Sequence, residues 1–191
     1  MSIVIVSGAL ANKPGNAGGA WERMSWVIGL QRLGFDVWFV EQLASSVCVD
    51  ASGAASDLES SVNLAWFRSV TRWFDIERRS ALVIDAGDDC HGLPWPQLLA
   101  LADSASLLVN LSGHLSVRAL CDRMRRKAYI DVDPGFTQFW HLDPAIQFGL
   151  HGHDDYFTIA ENIGKADCGI PTCGIPWRTI RQPVVLDQWP V

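Results

Sequence analysis

Two short stretches of this sequence carry side chains that can do acid–base chemistry. His114 lies in NLSGHLS (110–116), and an imidazole can hydrogen-bond a ligand hydroxyl or act as a base near neutral pH. Asp131 and Asp133 belong to DVDPG, where the alternation of an extended chain sends both carboxylates to one face. They can bond a ligand hydroxyl or cap a helix that begins after Pro134. His114 can equally be a surface or helix-capping histidine.

A long glycine-rich loop, SGALANKPGNAGGAW (7–21), offers a different chemistry. It holds more turn residues than a structural turn needs. Gly15, Gly18 and Gly19 let a backbone approach a diphosphate closely, and the helix that follows presents N–H groups and a positive dipole end. The loop is therefore expected to bind phosphate, with Lys13 as a charge partner. The alternative is a flexible loop without a ligand.

The elements that must position these residues are short apolar strands alternating with helices. This order predicts an α/β fold: a Rossmann-like, doubly wound parallel sheet of about six or seven strands in three α/β/α layers, with the first strand central. The carboxyl ends of such strands form a ligand-binding edge. Residues 1–164 are expected to form this domain, and 165–191 a Gly/Pro-rich tail without much regular structure. The strands are expected at 2–7, 36–41, 81–85, 106–110, 128–132 and 155–160.

Composition argues against several classes of function. The 191 residues carry a formal net charge of −6, which disfavours a general nucleic-acid or anionic-membrane binder. Five cysteines and no signal peptide favour reduced thiols and a cytoplasmic location, and no apolar run is long enough to span a bilayer. Cys168 and Cys173 lack the second pair that a structural zinc site uses, so no metal is expected.

A dinucleotide is a weaker candidate ligand than a sugar nucleotide. The glycines lie several residues beyond the first strand and do not match G-x-G-x-x-G, although Glu41 ends the second strand where a ribose-binding acid can stand. No Walker G-K-[ST] follows, and no G-x-S-x-G elbow accompanies Ser112.

The segment KPGNAGGAWERMSWVIGLQRLGFDVWFVE (13–41) resembles the start of GT-B glycosyltransferases, in which a glycine-rich first loop precedes a helix ending in L-x-x-L-G-H-x-V. The corresponding residues here are LQRLGFDVWFV. The resemblance to the N-terminal half of bacterial GT-B-like proteins extends over most of the chain, through LLVNLSG, YIDVDPGFTQFWH, FTIAENIG and GIPWRTIRQPVVLDQWPV.

The resemblance implies the acceptor-side domain of an enzyme that transfers a sugar from a nucleoside diphosphate sugar to an acceptor that the sequence does not specify. It implies a second, C-terminal Rossmann-like domain that binds most of the donor, so this chain alone is expected to be inactive, whether it is a natural half or a piece of a longer protein. No cofactor is implied, since the nucleotide sugar is a co-substrate and the family needs no bound metal.

By the same resemblance, His114 and Asp133 become the catalytic candidates, with His114 near the donor sugar. The acceptor or the interdomain cleft is expected near Asn110, Ser112, Asp131, Glu161 and Asn162. Inverting members often place a base histidine in the first loop, and this loop has none, so retention or inversion stays open. Two alternatives also stay open: a non-catalytic Rossmann-like binding or assembly module, and an NAD(P)-dependent oxidoreductase.

Overall fold

The computed structural model describes residues 1–87, 89–143, 146 and 149–188, and these form an α/β fold around one mostly parallel sheet. The described residues contain eight strands: β1 Ile3–Ser7, β2 Asp36–Leu43, β3 Ser80–Ile84, β4 Asp89–Gly92, β5 Ala105–Leu111, β6 Lys127–Asp131, β7 Asp155–Thr158 and β8 Arg178–Thr179. Their α-helices are α1 Ala17–Arg32, α2 Val62–Trp73, α3 Trp95–Ser104, α4 Arg118–Cys121 and α5 Phe136–His141. Three-residue 3-10 helices lie at Ser45–Val47, Glu77–Arg79 and Leu186–Gln188.

The strand order is β4-β3-β2-β1-β5-β6-β7-β8, with β1 central as expected. All neighbours pair in parallel except β3 and β4. The chain winds outward from β1 through β2 and β3, then returns to the other side of β1 with β5 and continues through β6 and β7. A crevice beyond the carboxyl ends of β1 and β5 follows from this reversal, and doubly wound sheets bind ligands at such a point.

The sheet is covered on both faces, which confirms the expected three layers. Along β1, Val4 and Val6 belong to the core cluster that includes Met24 of α1 and Phe67 of α2. Ile5, between them, joins the opposite cluster with α3 and α4. Successive side chains of a strand point to opposite faces, so one continuous apolar strand serves both layers.

The two edge strands that the sequence did not predict are both short. β4 has the residues DCHG, which show no apolar alternation, and it forms because β3 offers it an antiparallel partner. β8 is a two-residue addition beside β7, within the tail. The helix α2 begins after Ser61, whose hydroxyl caps it by accepting the Leu64 N–H at 3.1 Å.

The tail packs against the sheet through Trp177. Its indole lies 5.9 Å from the Tyr156 ring and 6.0 Å from the Tyr129 ring, beside Leu150 and Ile175. Trp177 thus covers part of this apolar cluster. Within the described ranges, no helix combines the length and apolar character that crossing a membrane requires.

Candidate functional site

A pocket of about 430 Å³ lies at the crevice beyond β1, β5 and β6. Three loops line it, each following a different strand: the glycine-rich loop after β1, the Ser112–Gly113 turn after β5, and the segment from Asp133 into α5 after β6. The lining side chains that carry its chemistry are Lys13, Ser112, His114, Asp133, Phe136 and Trp140. Four of these six were candidates from sequence.

His114 reaches the pocket from a sharp turn. Ser112 and Gly113 both have positive φ, at 50° and 68°, and a Cβ on Gly113 would stand 2.7 Å from the carbonyl oxygen of Gly149. This close approach orients the chain so that His114 lines the pocket. Among the described residues, none hydrogen-bonds the imidazole of His114, so its nitrogens remain available to a ligand.

Burial and, after it, nearby positive charges keep the imidazole of His114 neutral. Burial lowers its pKa to about 4, and the positive charges of Arg23 and Lys13 act in the same direction, while Asp133 opposes them. A neutral imidazole at pH 7 can accept a proton or a hydrogen bond from a ligand hydroxyl.

Asp131 and Asp133 have different surroundings. Asp131 is fully buried and accepts the hydroxyls of Thr137 and Thr158 at 2.9 and 2.8 Å and the Gln138 amide at 2.7 Å. It therefore ties the start of α5 to β7. Asp133 is exposed and lines the pocket, where its carboxylate can meet a ligand.

Of the residues expected to bind phosphate in the glycine-rich loop, only Lys13 reaches the pocket, and the glycines do not. The Asn16 side chain caps α1 by accepting the Gly19 N–H at 2.8 Å. A Cβ on Gly19 would lie 3.0 Å from Asn16 and 3.1 Å from Arg23, whereas a Cβ on Gly18 would only touch Asn16 at 3.8 Å and one on Gly15 would meet nothing within 4 Å. Lys13 lines the pocket, and these three glycines lie outside its lining.

Glu41, which the sequence offered as a ribose-binding acid, holds this loop instead. Its carboxylate is fully buried and accepts the N–H groups of Ala11 and Asn12 at 2.8 and 2.9 Å. Burial raises the pKa of Glu41 to about 7, against the lowering effect of these hydrogen bonds and of Arg23.

Glu22 and Arg23 of α1 are further polar residues near the site, and sequence analysis did not select them. Arg23 is only 4% exposed and donates to Glu22 at 2.5 Å and to the Gly19 carbonyl at 3.2 Å. Burial raises the pKa of Glu22, and among its neighbours Asp133 raises it while Arg23 and Lys13 lower it. Arg23 Nε and Glu22 Oε1 are buried without a hydrogen-bond partner among the described residues.

Comparison with known proteins gives no match. No protein-family model, curated protein or solved structure is significantly similar to this chain.

The remaining candidates lie outside the pocket. Asn110 is fully buried, bonds both backbone groups of Leu115 and contacts His153 at 3.0 Å, so it shapes the turn before His114. Glu161 pairs with Arg181 at 3.7 Å, and Asn162 accepts from Lys165 at 2.8 Å, both in surface depressions beyond β7.

The donor groups of the described residues do not form a metal centre: no three His, Cys, Asp or Glu side chains there are placed to hold an ion. The pocket instead brings together a neutral imidazole, a carboxylate, an ammonium group and two aromatic rings. This set can bind a molecule with hydroxyl groups, can remove a proton from one of them, and can offset negative charge near Lys13.

Proposed function

We propose that this chain is the acceptor-side domain of a GT-B-type glycosyltransferase, and that the pocket after β1, β5 and β6 is its substrate site. One observation carries the proposal: Lys13, His114 and Asp133, from three loops far apart in sequence, line one pocket at the reversal point of a doubly wound sheet. Ligands of such folds bind at that point, and the three groups have the chemistry that sugar transfer needs.

In the proposed reaction the acceptor hydroxyl oxygen forms a bond to the anomeric carbon of the sugar, and the bond from that carbon to the diphosphate oxygen breaks. The nucleoside diphosphate leaves with the bonding electrons. The hydroxyl proton passes to neutral His114 or to the Asp133 carboxylate. Lys13 offsets the charge that develops on the leaving phosphate.

The Glu41 contacts make a dinucleotide a poorer fit to the same crevice. In a dinucleotide-binding domain the acid at the end of the second strand bonds the ribose. Here both carboxylate oxygens of Glu41 are engaged by Ala11 and Asn12, and the side chain is fully buried.

The test is calorimetric titration of the full-length natural protein with UDP-, GDP- and ADP-sugars, with NAD(P) as a separate arm. We expect one nucleotide sugar to bind, and we expect Lys13→Met to weaken that binding at least tenfold. Asp103→Asn, which breaks only a surface pair with Arg123, is the control and should bind as the wild type does. Binding of NAD(P) in place of every nucleotide sugar would overturn the proposal in favour of an oxidoreductase.

A further inference from the structure

Two aromatic residues of α5 that line the pocket are strongly exposed. Phe136 is 62% exposed and Trp140 45% exposed, and their ring centroids lie 5.3 Å apart on one side of α5. Both line the pocket. Phe139 and Leu142, 54% and 60% exposed, continue the apolar surface outside it. Clustered exposed hydrophobic residues mark interaction sites.

The pocket lining combines apolar and polar groups. The aromatic rings of Phe136 and Trp140 form one wall, and the polar groups of Lys13, His114 and Asp133 belong to the same cavity. At about 430 Å³, the cavity has the size that holds a small molecule. A ligand that satisfies both parts has an apolar body and a hydroxyl-bearing end.

The charge of this region argues against an anionic membrane as the occupant. Residues 128–160, which include α5, contain no Lys or Arg. Of their aspartates, Asp133 lines the pocket, whereas Asp131 is buried and Asp155 pairs with Arg126 and Arg178. Surfaces that bind anionic lipid use Lys and Arg beside their apolar residues. In the pocket lining, the Asp133 carboxylate also disfavours an anionic ligand body.

We infer that the acceptor is a small, uncharged amphiphile, whose apolar or aromatic body lies against Phe136 and Trp140 while its hydroxyl reaches His114 and Asp133. Only the statement that this molecule is the acceptor rests on the proposed function. The binding itself depends only on the pocket.

The probe is octyl glucoside below its critical micelle concentration, with glucose as the polar counterpart lacking the apolar chain. Binding is measured by calorimetry and by the chemical shift of the His114 ring in NMR. We expect saturable binding of octyl glucoside at least tenfold tighter than that of glucose, with a shift at His114. Equal affinity for the two molecules would overturn the inference.

The variant that carries the test is Phe136→Ser, because Phe136 is the more exposed ring and its loss should not disturb folding; Trp140→Ser is a second variant. Each should weaken octyl glucoside binding at least fivefold and leave glucose binding unchanged. Phe139→Ser is the matched control: it is an exposed phenylalanine of the same helix outside the pocket lining, and it should bind within twofold of wild type. Equal loss in Phe139→Ser and Phe136→Ser would indicate unspecific adsorption or self-association and contradict the inference.

Failure of this inference is distinguishable from failure of the proposed function. If octyl glucoside binds at His114 but no nucleotide sugar is a substrate, the amphiphile site is supported and the proposed transferase function is overturned. If sugar is transferred at the same rate in Phe136→Ser and wild type, the transferase function is supported and the amphiphile site is overturned. Binding to lipid vesicles without binding of monomeric octyl glucoside would also overturn the inference, in favour of a membrane surface.

Discussion

Glu41 accepts the backbone N–H of Ala11 at 2.8 Å across thirty residues of sequence, from a fully buried position two residues before the end of β2. The neighbouring Asn12 N–H binds the other carboxylate oxygen, and Asn63 donates to the Ala11 carbonyl at 2.7 Å. The first half of the glycine-rich loop is thus held by the protein itself. Lys13 follows directly, so the buried carboxylate positions the residue that brings positive charge to the pocket.

The buried Glu41 makes stability depend on pH in a defined direction. Because its folded pKa is raised to about 7 from a usual 4.5, its contribution is favourable below pH 4.5 and is lost as pH rises through 7. His114, whose folded pKa is lowered, makes the free energy of unfolding change with pH in the opposite direction over part of this range. Its effect is common to wild type and the Glu41 variant, so it cancels in the difference between them. The free energy of unfolding of Glu41→Gln minus that of wild type should rise by roughly 3 kcal/mol from pH 4.5 to 8.

Urea unfolding at a series of pH values measures this difference. Glu77→Gln, which changes an exposed carboxylate in a surface pair with Arg72, should give a curve parallel to wild type. A curve for Glu41→Gln that is also parallel to wild type would contradict the raised pKa of Glu41 in the folded protein.

Arg23 contributes to the neutral state of His114. Its charge is the second cause, after burial, of the lowered pKa of His114. Arg23→Met should therefore raise that pKa from about 4 toward the usual 6.5 without reaching it, because burial remains. An NMR titration of the imidazole carbon signals measures the change. Arg68→Met, which removes a charge beside His91, should leave His114 unaltered; an unchanged His114 pKa in Arg23→Met would refute the role of Arg23.

The Ser112–Gly113 turn should not tolerate a side chain at Gly113. An alanine there would adopt a positive φ and place its Cβ 2.7 Å from the Gly149 carbonyl oxygen and 2.9 Å from the Tyr129 ring. Gly152→Ala is the matched control, because Gly152 also has a positive φ, of 84°, but faces open space. We expect a loss of about 1 kcal/mol for Gly152→Ala and more than 2 kcal/mol for Gly113→Ala in urea unfolding. Similar losses would mean that the close approach is not important.

Gly18 and Gly19 should respond differently to alanine. At Gly19 the new Cβ would press on the Asn16 side chain that caps α1, which offsets the gain from a helical alanine, so Gly19→Ala should be less stable than Gly18→Ala. At Gly18 the nearest atom is 3.8 Å away, and a helical alanine is favourable, so thermal unfolding should be unchanged or slightly improved. Weaker nucleotide-sugar binding in the stable Gly18→Ala variant would then indicate that the ligand approaches Gly18. Equal melting temperatures for both variants would contradict the role given to Asn16.

Most of the fold could be predicted from the sequence because buried parallel strands have continuous apolar runs. Six such runs correspond to strands of the structure: β1, β2, β3, β5, β6 and β7. The gathering of His114, Asp133 and Lys13 followed from a topological rule about strand ends. The rule does not say which polar residues turn inward. Asn110 and Asp131 share that edge but are buried in hydrogen bonds, and Arg23 lies on a helix whose sequence gives no sign that an arginine is buried. These outcomes depend on tertiary contacts that no local pattern encodes.

The most direct test of the central claim is a transfer assay with the full-length natural protein, using radiolabelled UDP-, GDP- and ADP-glucose as donors and octyl glucoside as acceptor. If the pocket is the substrate site of a glycosyltransferase, label should move to the acceptor from one donor, and His114→Ala and Asp133→Asn should each lower the rate at least a hundredfold while the melting temperature stays within 3 °C of wild type. A rate that is unchanged in both variants, or no transfer from any donor, would contradict the account.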